Sequence, residues 1–190
     1  MHPEFHTDIE SAIAQFATAY HLFEDIQSRE KARQPDAALI PSKGDQKTGL
    51  IGEYWAMRFA RATFTGSPVR FGGHSEQGRD LYVETPDGKP HYIQVKTASA
   101  FGSGKLSPIC PPVSSDGREL WHELWLLWLD RKLQPVTLWR LQSDHVVFSE
   151  SAPLKGKSIR RPSQPQSGSR CFHWDNAEVR TDMRELFGLA

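Results

Sequence analysis

The chain has 190 residues, enough for one domain that buries a core without disulfides or a structural metal. A hydrophobic fraction of 38% with six Trp and ten Phe argues against disorder over most of the length, and Lys plus Arg equals Asp plus Glu at 23 each, so a net charge of zero gives no bulk attraction to a polyanion. Cys110 and Cys171 have neither zinc-site spacing nor disulfide-scaffold density, the first ten residues hold no apolar leader, and the longest apolar run is Leu124 to Leu129, so a cytoplasmic protein without export or membrane insertion is expected.

From Thr7 to about Arg33, Ile9, Ile13, Phe16, Tyr20, Phe23 and Ile26 recur every three or four positions and predict an amphipathic helix with acids at its start. QPDAALIPSKGDQ ends it, and a second helix is expected from about Gln46 to Ala62, with Leu50, Tyr54 or Trp55, Met57, Phe59 and Ala60 on its apolar side. The period then changes to two. Val69 to Phe71 reads as a short strand, and Asp80 to Glu84 and His91 to Thr97 as two longer ones around the turn TPDGKP.

A loop rich in Gly, Pro and Ser follows, then ELWHELWLLWLDR as a buried central strand and PVTLWRLQ at 135–142 as its neighbour. Residues 151–170 are polar, with the basic run KGKSIRR at 155–161, and Asp175 to Leu186 reads as a C-terminal helix with Asp175 and Glu178 as a capping box. The fold class is therefore α/β, a mixed central sheet of four to five strands flanked by helices. Residues 1–150 form the core with its N-terminal helix, and 151–190 a basic loop and C-terminal helix packed on it, a single domain overall.

The hairpin carries the chemistry. Its turn centre at Asp87-Gly88 sets the register, so Asp80, Tyr82, Glu84, Tyr92, Gln94 and Lys96 share one face and Leu81, Val83, Ile93 and Val95 the other. Asp80 then lies opposite or diagonal to Gln94 and Lys96, within about 5 to 8 Å. A carboxylate that holds a hard divalent cation, an amide oxygen and a nearby backbone carbonyl that can complete its shell, and a lysine that orients water or neutralises a pentacovalent phosphate suit metal-assisted phosphodiester hydrolysis. The plain alternative is a solvated hairpin face. Glu84 is nearer the turn and reads as solvated, although a slipped register would make it a substitute ligand.

GRD at 78–80 followed by QVK at 94–96 resembles the PD-(D/E)xK nuclease superfamily, which includes restriction-endonuclease-like and junction-resolving enzymes. That family places a Glu-bearing helix ahead of the Asp-bearing strand, which corresponds to Glu53 in GLIGEYWAMRFA, and continues into a buried strand, here ELWLLWLD. Arg79 stands where a proline is common, and Gln94 replaces the acid, as in the QxK of the type IV restriction branch.

The resemblance spans about residues 45–142 and implies a restriction-endonuclease-like fold and a DNA endonuclease of restriction, defence or DNA processing. It implies Asp80, Gln94, Lys96 and Glu53 as the catalytic set, and Asp80, Gln94, Val95 and Glu53 around Mg²⁺ or Mn²⁺. Lys155, Lys157, Arg160 and Arg161 are expected beside the groove as phosphate contacts, with a solvated tail as the alternative. DNA is the expected partner, with RNA and a homodimer left open. The rivals are a non-catalytic nucleic-acid- or protein-binding module that retains the fold, and an RNase or toxin-like nuclease.

No histidine falls in a zinc motif, and only His74 and His91 are close enough in sequence to assist. Trp121, Trp125, Trp128, Trp139 and Trp174 read as packing residues.

Overall fold

The computed structural model describes residues 3–33, 46–72, 79–100, 120–148, 170–172 and 174–189. The elements in chain order are helix α1 (Pro3–Arg33), helix α2 (Gln46–Thr63), and strands β1 (Val69–Phe71), β2 (Leu81–Glu84), β3 (Pro90–Ser99), β4 (Glu123–Leu129) and β5 (Pro135–Gln142). Strands β6 (Val146–Phe148), β7 (Arg170–Phe172) and β8 (Glu178–Arg180) and the short helix α3 (Met183–Leu186) follow. Six strands form one sheet in the order β1-β2-β3-β4-β5-β8, while β6 and β7 pair separately. Every neighbouring pair in the large sheet is antiparallel except β3 and β4, which run parallel, so the sheet is mixed as expected but larger than four to five strands.

Strand β4 is buried along almost its whole length, which is why its sequence runs apolar instead of alternating. Its odd-numbered Trp125, Leu127 and Leu129 face a core shared with Leu81, Val83, Ile93 and Val95 and with Trp55, Ala56, Phe59 and Ala60 of α2. The even-numbered Leu124 and Leu126 join Trp121 and Leu141 in a second, smaller cluster. Two faces of one strand thus divide the apolar interior.

Helix α1 buries Ile13 and Ala17 and half-buries Ile9, Phe16 and Tyr20, and Glu10 bridges to Arg58 of α2. The expected stripe does not continue to Ile26, which is exposed along with Leu22 because the helix has left the core by then. Leu50, placed on the apolar side of α2 by its sequence, is 66% exposed. Trp55 is anchored instead, its indole N–H donating to the Leu133 carbonyl at 2.9 Å and its ring stacked on Phe187. That carbonyl lies in a turn where Leu133 has φ 57° and Asp130 accepts from the Lys132 and Gln134 N–H groups.

The C-terminal segment corrects the sequence reading. Asp175 to Leu186 is a 3₁₀ turn, an edge strand and one turn of helix in place of a single helix. Strand pairing prevails because β5 offers an open edge: Leu138, Trp139 and Arg140 pair with Arg180, Val179 and Glu178. Glu178 accepts from Arg140 at 2.6 Å and caps nothing. Among the described residues no helix is long and apolar enough to cross a membrane.

Close approach of α2 to the sheet depends on a glycine. A Cβ built on Gly52 would lie 1.8 Å from Oγ1 of Thr97 and 2.7 Å from its Cβ and Cγ2, so any larger residue must push the helix off β3. Gly52→Ala is expected to cost about 1 to 3 kcal/mol in chemical denaturation. Thr97→Ala in the same chain, which removes two of the three clashing atoms, should recover part of that loss. Strictly additive effects of the two substitutions would contradict the contact.

Candidate active site

The site is built where β2 gives out. Leu81 pairs with Ile93, and the backbone N–H of Asp80 still donates to the Ile93 carbonyl at 3.0 Å, so Asp80 stands just past the last regular pair of β2 and β3. Strand β3 continues to Ser99, and beyond this point its Val95 N–H is taken up by a side chain: Oδ2 of Asp80 accepts it at 2.7 Å. A buried peptide N–H needs a partner, and a carboxylate one position past the end of a strand supplies it.

Gln94, only 2% exposed, donates from Nε2 to the same Asp80 oxygen and to the Val95 carbonyl at 3.1 Å. Two oxygens therefore converge on one buried nitrogen. Its N–H groups bring the partial positive charge that converging oxygens require, and a hard cation meets the same requirement. Rotation of the amide would turn Oε1 toward the pair, and three oxygens with no donor between them call for a cation. The donor set of Asp80, Val95 and Gln94 thus fits a hard divalent ion. Among the described residues no three His, Cys, Asp or Glu side chains gather at metal-binding distance, so such an ion would rely on amide and peptide oxygens as well as carboxylates.

Lys96 follows two residues beyond Gln94 on the same side of β3 and is partly exposed. Glu53 comes from α2, next to the Gly52 contact, and burial together with the negative charge of Asp80 pushes its carboxyl up to about 7, against the pull of Lys96. Burial also raises the Asp80 carboxyl, opposed by the Val95 N–H, the Lys96 charge and the Gln94 amide. Asp80, Glu53 and Lys96 therefore share one electrostatic environment.

The remaining candidates lie elsewhere. Glu84 pairs with Pro90 and is exposed, with Tyr82 between it and Asp80, so the register has not slipped. His91 does not assist the centre. Its Nε2 lies 2.9 Å from Oε1 of Glu123, a carboxylate that also accepts from the Trp125 indole and from Arg140. Burial would raise Glu123, but His91, Arg140 and Trp125 outweigh it and hold the carboxyl down at about 2, which marks a structural ion pair. His74, Lys155, Lys157, Arg160 and Arg161 lie outside the described residues, as does the side chain of Trp174.

Reading the sequence missed Gly52, whose importance comes from a tertiary contact with no local signal. It also missed Arg79, whose guanidinium lies 4.1 Å from the Tyr92 ring centroid and whose Nε donates to the Leu120 carbonyl at 3.3 Å. The chain matches no protein-family model and no curated protein.

The raised Glu53 carboxyl has a definite linkage sign. An acid moved from an ordinary 4.5 to about 7 holds its proton better folded than unfolded, so stability falls as pH rises between those values. Glu53→Gln removes that loss, and its gain in thermal stability should be larger at pH 8 than at pH 5. An equal effect at both pH values would show that Glu53 is not held in this environment.

Proposed function

We propose that the chain is a metal-dependent nuclease that hydrolyses phosphodiester bonds in DNA, with the restriction-endonuclease-like arrangement its QxK motif resembles. The observation that carries this reading is the convergence of the Asp80 carboxylate and the Val95 carbonyl on the Gln94 amide, with Lys96 and Glu53 electrostatically coupled to the same carboxylate. The order of elements supports it: a helix bearing Glu53, a strand led by Asp80, a strand bearing Gln94 and Lys96, and a buried parallel strand.

Asp80, Gln94 through its oxygen, the Val95 carbonyl and Glu53 would hold Mg²⁺ or Mn²⁺. Once bound, the ion supplies Lewis-acid polarisation of the scissile phosphate. Lys96 orients the attacking water or neutralises charge that develops on the phosphoryl oxygens. Water is the nucleophile, and no covalent intermediate forms.

One observation favours a second reading, a nucleic-acid-binding module without catalysis. With Nε2 of Gln94 donating to both oxygens, the site satisfies itself without a cation. The two readings separate in a cleavage assay on plasmid, linear and branched DNA and on RNA, with Mg²⁺ and with Mn²⁺.

Asp80→Asn is expected to abolish metal binding and cleavage together. Lys96→Ala should keep the metal but slow cleavage by about 10² or more, the scale of losing one preorganised charge-stabilising donor. Gln94→Glu should tighten metal binding by restoring an acidic ligand. Full metal-dependent cleavage by Asp80→Asn in a nuclease-free preparation would overturn the assignment, and absence of cleavage by the unmodified chain on every substrate would favour the binding module.

A further inference from the structure

We propose that a row of side chains across the sheet, Arg70, Tyr82, Tyr92 and His122 with Arg79 laid on Tyr92, binds the unpaired nucleotide next to the bond that is cut. The substrate would then be a single-stranded or locally unpaired segment. The inference rests on the nuclease reading for its reaction, but the row itself is defined by register and contact alone.

Arg70 pairs with Tyr82 and Tyr82 with Tyr92, so one residue from each of three strands stands in line on the even-numbered face. His122 extends the line: its N–H donates to the Tyr92 carbonyl and its ring stacks on the Tyr92 ring at 5.3 Å. Tyr82 meets Tyr92 edge-on at 5.0 Å, and the Arg70 guanidinium lies 5.8 Å from the Tyr82 centroid. Arg70 and His122 are exposed, and Tyr82, Tyr92 and Arg79 are partly so.

Cross-strand aromatic pairs also occur as plain sheet packing, and charge separates the two cases. Arg58, Arg140, Arg180 and Arg184 are each paired with a carboxylate. Among the described residues neither Arg70 nor Arg79 has such a partner; their contacts are tyrosine rings and, for Arg79, a peptide oxygen. Uncompensated guanidinium groups beside partly exposed aromatic rings suit a ligand with both a phosphate and a flat π-face.

Position ties the row to the reaction centre. Asp80 lies two residues before Tyr82 and Gln94 two residues after Tyr92, about 7 Å along the strands from the row. That is comparable with the length of one nucleotide unit. A phosphate held beside Asp80 through a bound cation would place the neighbouring base over Tyr82, where Arg70 meets the next phosphate. A base stacked within a duplex has no free face to offer, which is why the site selects unpaired nucleotides. Gly72 leaves the room for this arrangement, since a Cβ there would fall 2.0 Å from the Arg79 carbonyl oxygen and 3.3 Å from the Tyr82 ring.

The test is fluorescence anisotropy with labelled oligonucleotides in EDTA, where cleavage cannot contribute: one single strand, its full duplex, and a duplex with a single-stranded flap. The unmodified chain should bind the single strand and the flap more tightly than the duplex. Tyr82→Ala and Arg70→Gln should each weaken binding to the unpaired segment on the order of tenfold, the scale of one lost stacking partner, while Tyr82→Phe retains it because the ring face is kept.

Arg70 is exposed at the sheet edge, so its variant reports on binding even if Tyr82→Ala misfolds. Unchanged affinity in Arg70→Gln and in a folded Tyr82→Ala would overturn the platform, as would equal or tighter binding of duplex by the unmodified chain, or no binding at all. Row-dependent binding without cleavage under any divalent metal would support the platform and sink the nuclease reading. Cleavage that these substitutions leave untouched, with binding also untouched, would do the reverse.

Discussion

The carboxylate of Asp80 continues a hydrogen-bonded ladder that the backbone of β2 abandons. By accepting the Val95 N–H it lets β3 run on past its antiparallel neighbour while staying parallel to β4, and the carboxylate is buried as a result. Everything proposed for the site follows from that substitution of a side chain for a peptide. It brings the Val95 carbonyl and the Gln94 amide to the same point, and it places the negative charge that adds to burial in raising Glu53.

Two charged clusters in this sheet answer different needs. Around Glu123 every oxygen is matched by His91, Trp125 or Arg140, and the carboxyl is held ionised at about 2. A buried ion pair so completely satisfied fixes the packing of β3, β4 and β5 and leaves no capacity for a ligand. Around Asp80 the balance runs the other way, with both carboxyls raised and Lys96 only partly offsetting their burial. Burial raises both carboxyls, and the Asp80 charge adds to the rise at Glu53.

Much of the fold was legible in the sequence where local rules and tertiary demands agree. The hairpin register followed from Asp87-Gly88, and Gly88 indeed has φ 76°, the left-handed conformation that such a turn asks of glycine. The apolar run of β4 was readable for the same reason. The C-terminal segment was not, because Asp175 and Glu178 match a capping box locally while the open edge of β5 and the Arg140 side chain claim Glu178 as a strand residue.

Gln94 and Lys96 could be placed on one side of β3 from period alone. What period could not supply was Gly52, Arg79 or the in-plane turn of Asp80 toward Val95, each a contact between segments distant in sequence.

The central proposal is that the point where the Asp80 and Val95 oxygens converge is a cation site. Paramagnetic line broadening by Mn²⁺ in amide-resolved nuclear magnetic resonance spectra tests it directly. The Val95 backbone amide and the Gln94 side-chain amide should broaden first at substoichiometric Mn²⁺, recover on addition of excess Mg²⁺, and remain sharp in Asp80→Asn. Broadening that spares both signals, or that persists unchanged in Asp80→Asn, would contradict it.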